Sequence, residues 1–285
     1  MPASDQGRAG PGDAEWLHLC RQAAARLREV LEELPTTRER AVDAGRGEGG
    51  DRSLVIDQAA EAGVFSLLDE LHRDGRRFTA ASEERGWVDY GDPGLLVIID
   101  PIDGSLNAKR DLSPYSISIA VADGGTMADV AFGFVHDYGA EEEWAAWRGG
   151  GATLDGRPLA VDVAERRNRA GRLEVVGIES ADPRWVAESI DDLCDRAHRL
   201  RALGSIAVSL CQVAAARMDG MLSLKRCRAF DAAAGQLIVR EAGGQVAFPS
   251  YDPPVGAPLD LEPRSPVVAA RSRRALDELA SIPRA

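Results

Sequence analysis

The segment LLVIIDPIDGSLNAKRD, residues 95–111, carries the densest chemistry in the chain. An apolar run delivers Asp100 at its end, and Asp103 follows three residues later. A turn of that length can aim both carboxylates and the intervening Ile102 carbonyl at one centre. Hard oxygen donors of this kind suit Mg²⁺ or Mn²⁺ and not zinc. Gly104, Ser105, Leu106 and Asn107 then read as a helix start whose free N–H groups offer an anion site. The same letters, Asp-Pro-x-Asp-Gly, also make good turn chemistry with no ligand at all.

Further acids join this set. Glu83 and Glu84 are adjacent in Ser82-Glu83-Glu84-Arg85, which could equally be a solvated charge run. Asp231 precedes an apolar helix ending in Gly243-Gly244, and Asp57 follows Leu54-Val55-Ile56; an ordinary N-cap is the competing reading for each. Other chemistries find little support. Gly45, Gly47 and Gly50 match GxGxxG, but no apolar strand precedes them and no helix opens on them. There is no GxxxxGK[ST] and no GxSxG. The four histidines form no HExxH, and Cys20, Cys194, Cys211 and Cys227 form no CxxC, so they read as reduced core thiols.

The elements that must position these groups can be read from periodicity. Apolar residues from Trp16 to Leu34 recur at helical steps, and a second amphipathic helix runs from near Asp57 to about Arg73. Between them, residues 36–52 lack periodicity and read as a mobile charged loop that could act as a lid. Strands are expected at 94–100, 116–122, 128–135 and 142–147, with a hairpin at the Asp155-Gly156 turn. The second half predicts a strand at 173–178, a helix at 183–197 and a strand near 198–203. A helix should open at Gly204-Ser205 and run to about Met218, and another should begin at Asp231. QVAF and residues 266–270 read as strands, and RRALDELA as a closing helix. The fold class is α+β with layered sheets. Residues 1–13 read as disordered and 14–285 as one domain, with an α+β part about 14–160 and an α/β part about 170–285.

Composition bounds the function. With 34 Lys+Arg against 46 Asp+Glu, the net charge is −12 and a nucleic-acid partner is disfavoured. No apolar run reaches the ~20 residues of a membrane helix. Neither a basic n-region nor an apolar h-region opens the chain, so a cytoplasmic location is expected.

Taken together, the motifs resemble those of the inositol monophosphatase family of metal-dependent, lithium-sensitive phosphatases. DPIDGSLN resembles the family's DP[IL]DGT-x-N motif, and FDAAAGQLIVREAGG its WD-x-AAG…EAGG motif. SEER resembles its GEE motif, and the segment ending in Asp57 its T-x-x-D helix start. The wording of the central motif is closer to archaeal-type inositol/fructose phosphatases than to adenosine-bisphosphate phosphatases. The resemblance implies an αβαβα layered sandwich of the inositol monophosphatase/fructose-1,6-bisphosphatase type, usually a homodimer. It implies two or three Mg²⁺ per site, with Mn²⁺ as a substitute, held by Glu83, Asp100, the Ile102 carbonyl, Asp103 and Asp231. Asp103, Gly104 and Ser105 would meet the substrate, and Gly204-Ser205 would supply a second contact. The Ser105 hydroxyl, supported by Asp57, would position the attacking water with Glu83.

The chain departs from the pattern at several positions. Ser105 stands for the usual Thr, Ser82 for Gly, Phe230 for Trp and Ile56 for Thr. Where animal-type inositol enzymes place a Glu that contacts inositol, this chain has Leu224, followed by Lys225, Arg226 and Arg228. Lys225 and Arg226 could hold a second phosphate, or could be a solvated strand edge. The expectation is a Mg²⁺-dependent phosphomonoesterase acting on inositol monophosphate or a related small sugar phosphate. Fructose 1,6-bisphosphate is the nearest rival substrate, followed by histidinol phosphate and 3′-phosphoadenosine 5′-phosphate. A metal- or phosphate-binding regulatory module is the non-enzymatic rival.

Overall fold

The computed structural model describes residues 11–46 and 52–283. The chain opens with α1 (Pro11–Glu33), α2 (Thr37–Arg40), β1 (Asp43–Arg46), β2 (Arg52–Leu54) and α3 (Val55–Arg73). Next come β3 (Thr79–Ser82), β4 (Gly86–Asp89), β5 (Leu96–Asp103), α4 (Ser105–Arg110), β6 (Ser116–Ala122) and β7 (Val130–Asp137). This half ends with β8 (Glu142–Trp147), β9 (Gly151–Leu154) and β10 (Arg157–Pro158). The second half begins with β11 (Leu173–Glu179), α5 (Pro183–Glu188), α6 (Ile190–Arg196), β12 (Ala197–Arg201) and α7 (Ile206–Ala214). It closes with β13 (Gly220–Ser223), α8 (Ala229–Glu241), β14 (Gln245–Ala247), β15 (Val268–Ala270) and α9 (Arg273–Ala280).

Strands β3–β10 form an eight-stranded sheet in the order β10-β9-β8-β7-β6-β5-β3-β4, and β11–β15 a five-stranded sheet in the order β12-β11-β13-β15-β14. The larger sheet is antiparallel except where β3 runs parallel to β5. Its strands β5 and β6 are buried along their whole length because both faces are covered. Along β5, Val97 and Ile99 point into the core shared with α1 and α3, beside Leu27, Phe65 and Leu68. Leu96 and Ile98 point the other way, into the core shared with α7 and α8, beside Leu210, Phe230 and Leu237. The far face of the smaller sheet packs on Leu193 of α6 and on Leu276 and Leu279 of α9. Helix, sheet, helix, sheet, helix is thus the layer order. Packing of α8 on β7 depends on Gly133, where a Cβ would lie 2.8 Å from the Ala234 carbonyl oxygen.

Several local expectations are corrected. Residues 36–46 and 52–54 are not a plain loop: α2 leads into an antiparallel β1–β2 pair. Thr36 and Glu39 cap α2 reciprocally. Arg40 is buried and donates to the Leu34 carbonyl at 2.8 Å, the Ala108 carbonyl at 3.1 Å and Asp111 at 2.9 Å. This ties the segment to the ends of α1 and α4. Gly47 and Gly50 of the GxGxxG match lie outside the described residues, and Gly45 sits in β1. Of the N-terminal stretch expected to be disordered, residues 1–10 also lie outside them, and α1 already starts at Pro11.

The helix expected over 183–197 is two helices, because the backbone leaves helical geometry at Ser189. Helix α7 stops at Ala214 and not near Met218. β5 does not end at Asp100 but continues through a register irregularity to Asp103. β3, β4 and β13 were not expected; each is four residues long, too short for a legible period. Cys20, Cys211 and Cys227 are buried as expected, whereas Cys194 is exposed on α6.

Candidate active site

Two strand ends and two helix starts meet here. Asp100 and Asp103 leave the last turns of β5 almost fully buried, at 5% and 7% exposure. Asp100 Oδ1 accepts the Ile102 N–H at 3.0 Å. Asp103 reaches across to the start of α7, accepting the Ser205 hydroxyl, the Ala207 N–H at 2.7 Å and the Ile206 N–H at 3.3 Å. Gly104 follows with φ +93°, a conformation that only glycine adopts freely, and a Cβ there would lie 3.0 Å from the Gly204 carbonyl oxygen. The two helix starts therefore abut. Asn107 of α4 locks them together, donating to the Pro114 carbonyl at 2.8 Å and the Leu203 carbonyl at 2.7 Å.

The adjacent acids Glu83 and Glu84 lie on the tight turn between β3 and β4. That turn is held from below by Glu61 of α3, which is 3% exposed. Glu61 accepts the Ser82 hydroxyl and the Arg85 N–H at 3.2 Å. Ser82, the residue in place of glycine, thus has its own partner. Asp57 sits in the first turn of α3, where its Oδ2 accepts the Leu54 N–H at 3.1 Å. Asp231 is likewise the third residue of α8 and not its first, with its Oδ2 accepting the Arg228 N–H at 2.8 Å. Both N-terminal capping roles are real, and both acids still face the site.

The electrostatics are those of acids crowded out of water. Burial pushes Asp100 well above its ordinary range, and Asp103, Asp231 and Glu83 push it further. Burial raises Asp103 to about 7 against the pull of its hydrogen bonds from Ser205 and Ala207. Asp57 is raised to about 6, chiefly by burial and further by Glu84.

Asp57, Glu83, Glu84, Asp100, Pro101, Ile102 and Ser105 line a narrow cavity of about 10 Å³. Within this group of elements, Asp57 Oδ1 and Glu84 Oε2 are buried without a hydrogen-bond partner. Orphaned carboxylate oxygens beside other acids call for a cation. The donors are hard oxygens, so they fit Mg²⁺ or Mn²⁺ chemically. Among the described residues, no three acidic, histidine or cysteine side chains enclose a point closely enough to hold an ion as they stand. One reason is that Glu83 Oε1 is engaged by Arg228 Nη1 at 2.9 Å. The Ile102 carbonyl accepts the Ser105 hydroxyl at 2.9 Å.

Beside this cavity lies a pocket of about 400 Å³, lined by Asp103, Asn107, Glu179, Ser180, Ala181, Ala202, Leu203, Gly204, Ile206 and Asp231. It is the size of a small-molecule site. A further cavity of about 490 Å³, between Ser113 and Met218, contains none of the acids predicted for the site.

The structure thus brings together Asp57, Glu83, Asp100, Ile102, Asp103, Gly104, Ser105, Gly204, Ser205 and Asp231. Lys225 and Arg226 stand apart from both cavities. Lys225 Nζ lies 4.9 Å from the centre of the Trp185 ring, and Arg226 is exposed. Leu224 is buried, its N–H donating to the Glu179 carbonyl at 2.9 Å. Sequence reasoning missed Glu179 and Glu61. Glu179 ends an apolar strand as Asp100 does, and that signal was available; Glu61 sits on a helix face where nothing marks it.

The chain is similar to known proteins over most of its length. The model of the inositol monophosphatase family matches residues 14–283. The fructose-1,6-bisphosphatase/inositol-1-monophosphatase of Methanothermobacter thermautotrophicus is 31% identical over 262 residues, covering 87% of this chain and 90% of that protein. The Nus factor SuhB of Haemophilus influenzae is 32% identical over 233 residues, covering 81% and 84%. Among solved structures, an inositol monophosphatase from Thermotoga maritima superposes with a TM-score of 0.72 at 25% identity, covering 94% of this chain and 98% of that one. The extragenic suppressor protein SuhB of Bartonella henselae shares the fold, with a TM-score of 0.75 at 23% identity, covering 93% and 98%. The chain belongs to the inositol monophosphatase family and is a phosphoric monoester hydrolase with that family's layered α+β fold.

Proposed function

We propose that this protein is a Mg²⁺-dependent phosphomonoesterase that hydrolyses inositol monophosphate or a related small sugar phosphate. The observation that carries the reading is the convergence of Glu83, Asp100, Asp103 and Asp231, all four buried or half-buried, beside a 400 Å³ pocket. In this reading Glu83, Asp100, Asp103, Asp231 and the Ile102 carbonyl hold the cations. When bound, such cations supply a water of lowered pKa and neutralise charge on the phosphoryl oxygens.

The chain's own residues do the rest. Gly104 and Ser105 place backbone N–H groups where the phosphate enters, and Gly204 and Ser205 face them across the pocket. The small cavity at Asp57 and Ser105 is close to the one-water minimum, about 10 Å³. In this reading the Ser105 hydroxyl, supported by Asp57, positions a water there together with Glu83 for attack on phosphorus. Catalysis is then positioning and electrostatics, and no covalent enzyme intermediate is required.

Fructose 1,6-bisphosphate is the second reading, since the Methanothermobacter relative is named for both activities. We also read residues 14–285 as one phosphatase unit, working as a cytoplasmic homodimer; among the described residues no helix is long and apolar enough to cross a membrane. Sedimentation of the purified chain tests the dimer. Phosphate release from a panel of esters, with and without Mg²⁺, tests the activity. Release that needs Mg²⁺ supports the reading, and ligand binding with no release from any ester overturns it.

A further inference from the structure

Arg228 touches both halves of the acidic site. It is the residue before α8, and its N–H donates to Asp231 Oδ2 at 2.8 Å. Its guanidinium crosses to the β3–β4 turn, where Nη1 donates to Glu83 Oε1 at 2.9 Å. Asp231 lines the 400 Å³ pocket, and Glu83 lines the narrow cavity. One residue thus spans the seam between the two cavities. Its Cζ lies 5.8 Å from the centre of the Phe230 ring, and only 18% of the side chain is exposed. A guanidinium so far out of water needs an anion beside it. Glu83 is that anion in the cation-free protein.

Glu83 is also one of the acids read as holding a cation, and its charge cannot serve both partners in full. Recruitment of Glu83 to a cation leaves the guanidinium at the seam with a charge to match. In the phosphatase reading, on which this inference rests, the seam is where the phosphate of the ester sits, between the cations and the pocket. A guanidinium presents a planar fork of N–H donors that fits two phosphate oxygens. We propose that Arg228 changes partner: it holds Glu83 in the cation-free protein, and it holds the phosphate once Glu83 has turned to a cation. Gly104 and Ser105 offer that phosphate neutral backbone donors, and Arg228 supplies a charged one. The order of binding follows, cation first and phosphate second, because the guanidinium is occupied until Glu83 leaves it.

Calorimetric titration of inorganic phosphate reads the exchange in the native chain, Arg228→Gln, Arg228→Lys, Glu83→Gln and the double variant Glu83→Gln/Arg228→Gln. At saturating Mg²⁺, Arg228→Gln should weaken phosphate binding about tenfold, the scale of one charge-assisted hydrogen bond. Arg228→Lys keeps the charge and loses the fork, so it should weaken binding by less, and it carries the comparison if Arg228→Gln does not fold. In EDTA, Glu83→Gln should bind phosphate more tightly than the native chain, because its guanidinium is released, and the double variant should lose that gain. Phosphate affinity that ignores both Arg228 variants at saturating Mg²⁺ overturns the proposal. So does a Glu83→Gln chain that gains nothing in EDTA, or one whose gain survives in the double variant, the mark of general charge relief. Ester hydrolysis measured alongside separates this inference from the reading beneath it. Phosphate affinity that follows Arg228 with no ester hydrolysed retains the exchange and removes the phosphatase reading; hydrolysis with phosphate affinity indifferent to Arg228 does the reverse.

Discussion

Arg228 Nη1 stands 2.9 Å from Glu83 Oε1, joining the start of α8 to the β3–β4 turn. The guanidinium engages one oxygen of an acid whose charge also acts on Asp100. A cation that recruits Glu83 must compete with it. Arg228→Gln is therefore expected to tighten Mn²⁺ or Mg²⁺ binding by roughly tenfold, the scale of one charge-assisted hydrogen bond. Calorimetry or Mn²⁺ spectroscopy reads this directly. Unchanged affinity would make the pair a structural tie between the two halves.

Asp100 is buried among Asp103, Asp231 and Glu83, so the cation-free protein carries a repulsion it does not need for folding. Asp100→Asn should abolish most activity, since an amide is a weak ligand for Mg²⁺. It should also raise the stability of the cation-free protein by about 1–3 kcal/mol. Denaturant melts in EDTA check the second effect. A less stable variant would show that Asp100 is needed for the fold itself.

The raised carboxyls predict how stability depends on pH. Asp57 moves from 3.8 to about 6, Asp103 from 3.8 to about 7 and Glu179 from 4.5 to about 7. The native state thus binds their protons more tightly than the unfolded chain. Their stabilisation is complete below about pH 4 and is lost as pH rises through about 6 and about 7, worth about 3 kcal/mol for Asp57 alone. The Tm in EDTA should fall between pH 5 and pH 8, judged by thermal melts in about half-unit steps. Saturating Mg²⁺ should flatten the fall, because cations replace the protons.

Glu61 supports the acidic turn without entering the cavity. Its carboxylate accepts the Ser82 hydroxyl and the Arg85 N–H, and Arg85 lies 4.4 Å from the Phe65 ring centre. Glu61→Ala leaves two donors unanswered and should cost about 1–3 kcal/mol of stability. Turnover should fall with it, while KM changes little, because Glu83 and Glu84 lose their fixed placement. Steady-state kinetics beside a melt separates the two. Turnover intact in a destabilised protein would confine Glu61 to the fold.

Much of the site was legible in the residues alone. Asp100 and Asp103 close an apolar strand, and the length of that run determines that both faces are covered. Asp57 and Asp231 precede apolar helical periods, so their position at helix starts follows from capping chemistry. The layered α+β class follows from runs of strands and helices that do not alternate strictly. Four-residue strands such as β3 and β13 escaped notice because they have no period of their own; their ladders come from partners far along the chain.

The tertiary structure decided which charged groups meet. Lys225 and Arg226 read as pocket bases, yet packing turned Lys225 onto Trp185 and left Arg226 exposed. Arg228, two residues further, was carried onto Glu83. Glu179, unremarked in its strand, became the pocket wall because α7 starts beside the end of β11. Local order along the chain determines where an acid leaves its strand or helix. Only the stacking of layers sets the distance between acids separated by dozens of residues, and that distance decides whether a carboxylate holds a cation, a helix start or an arginine.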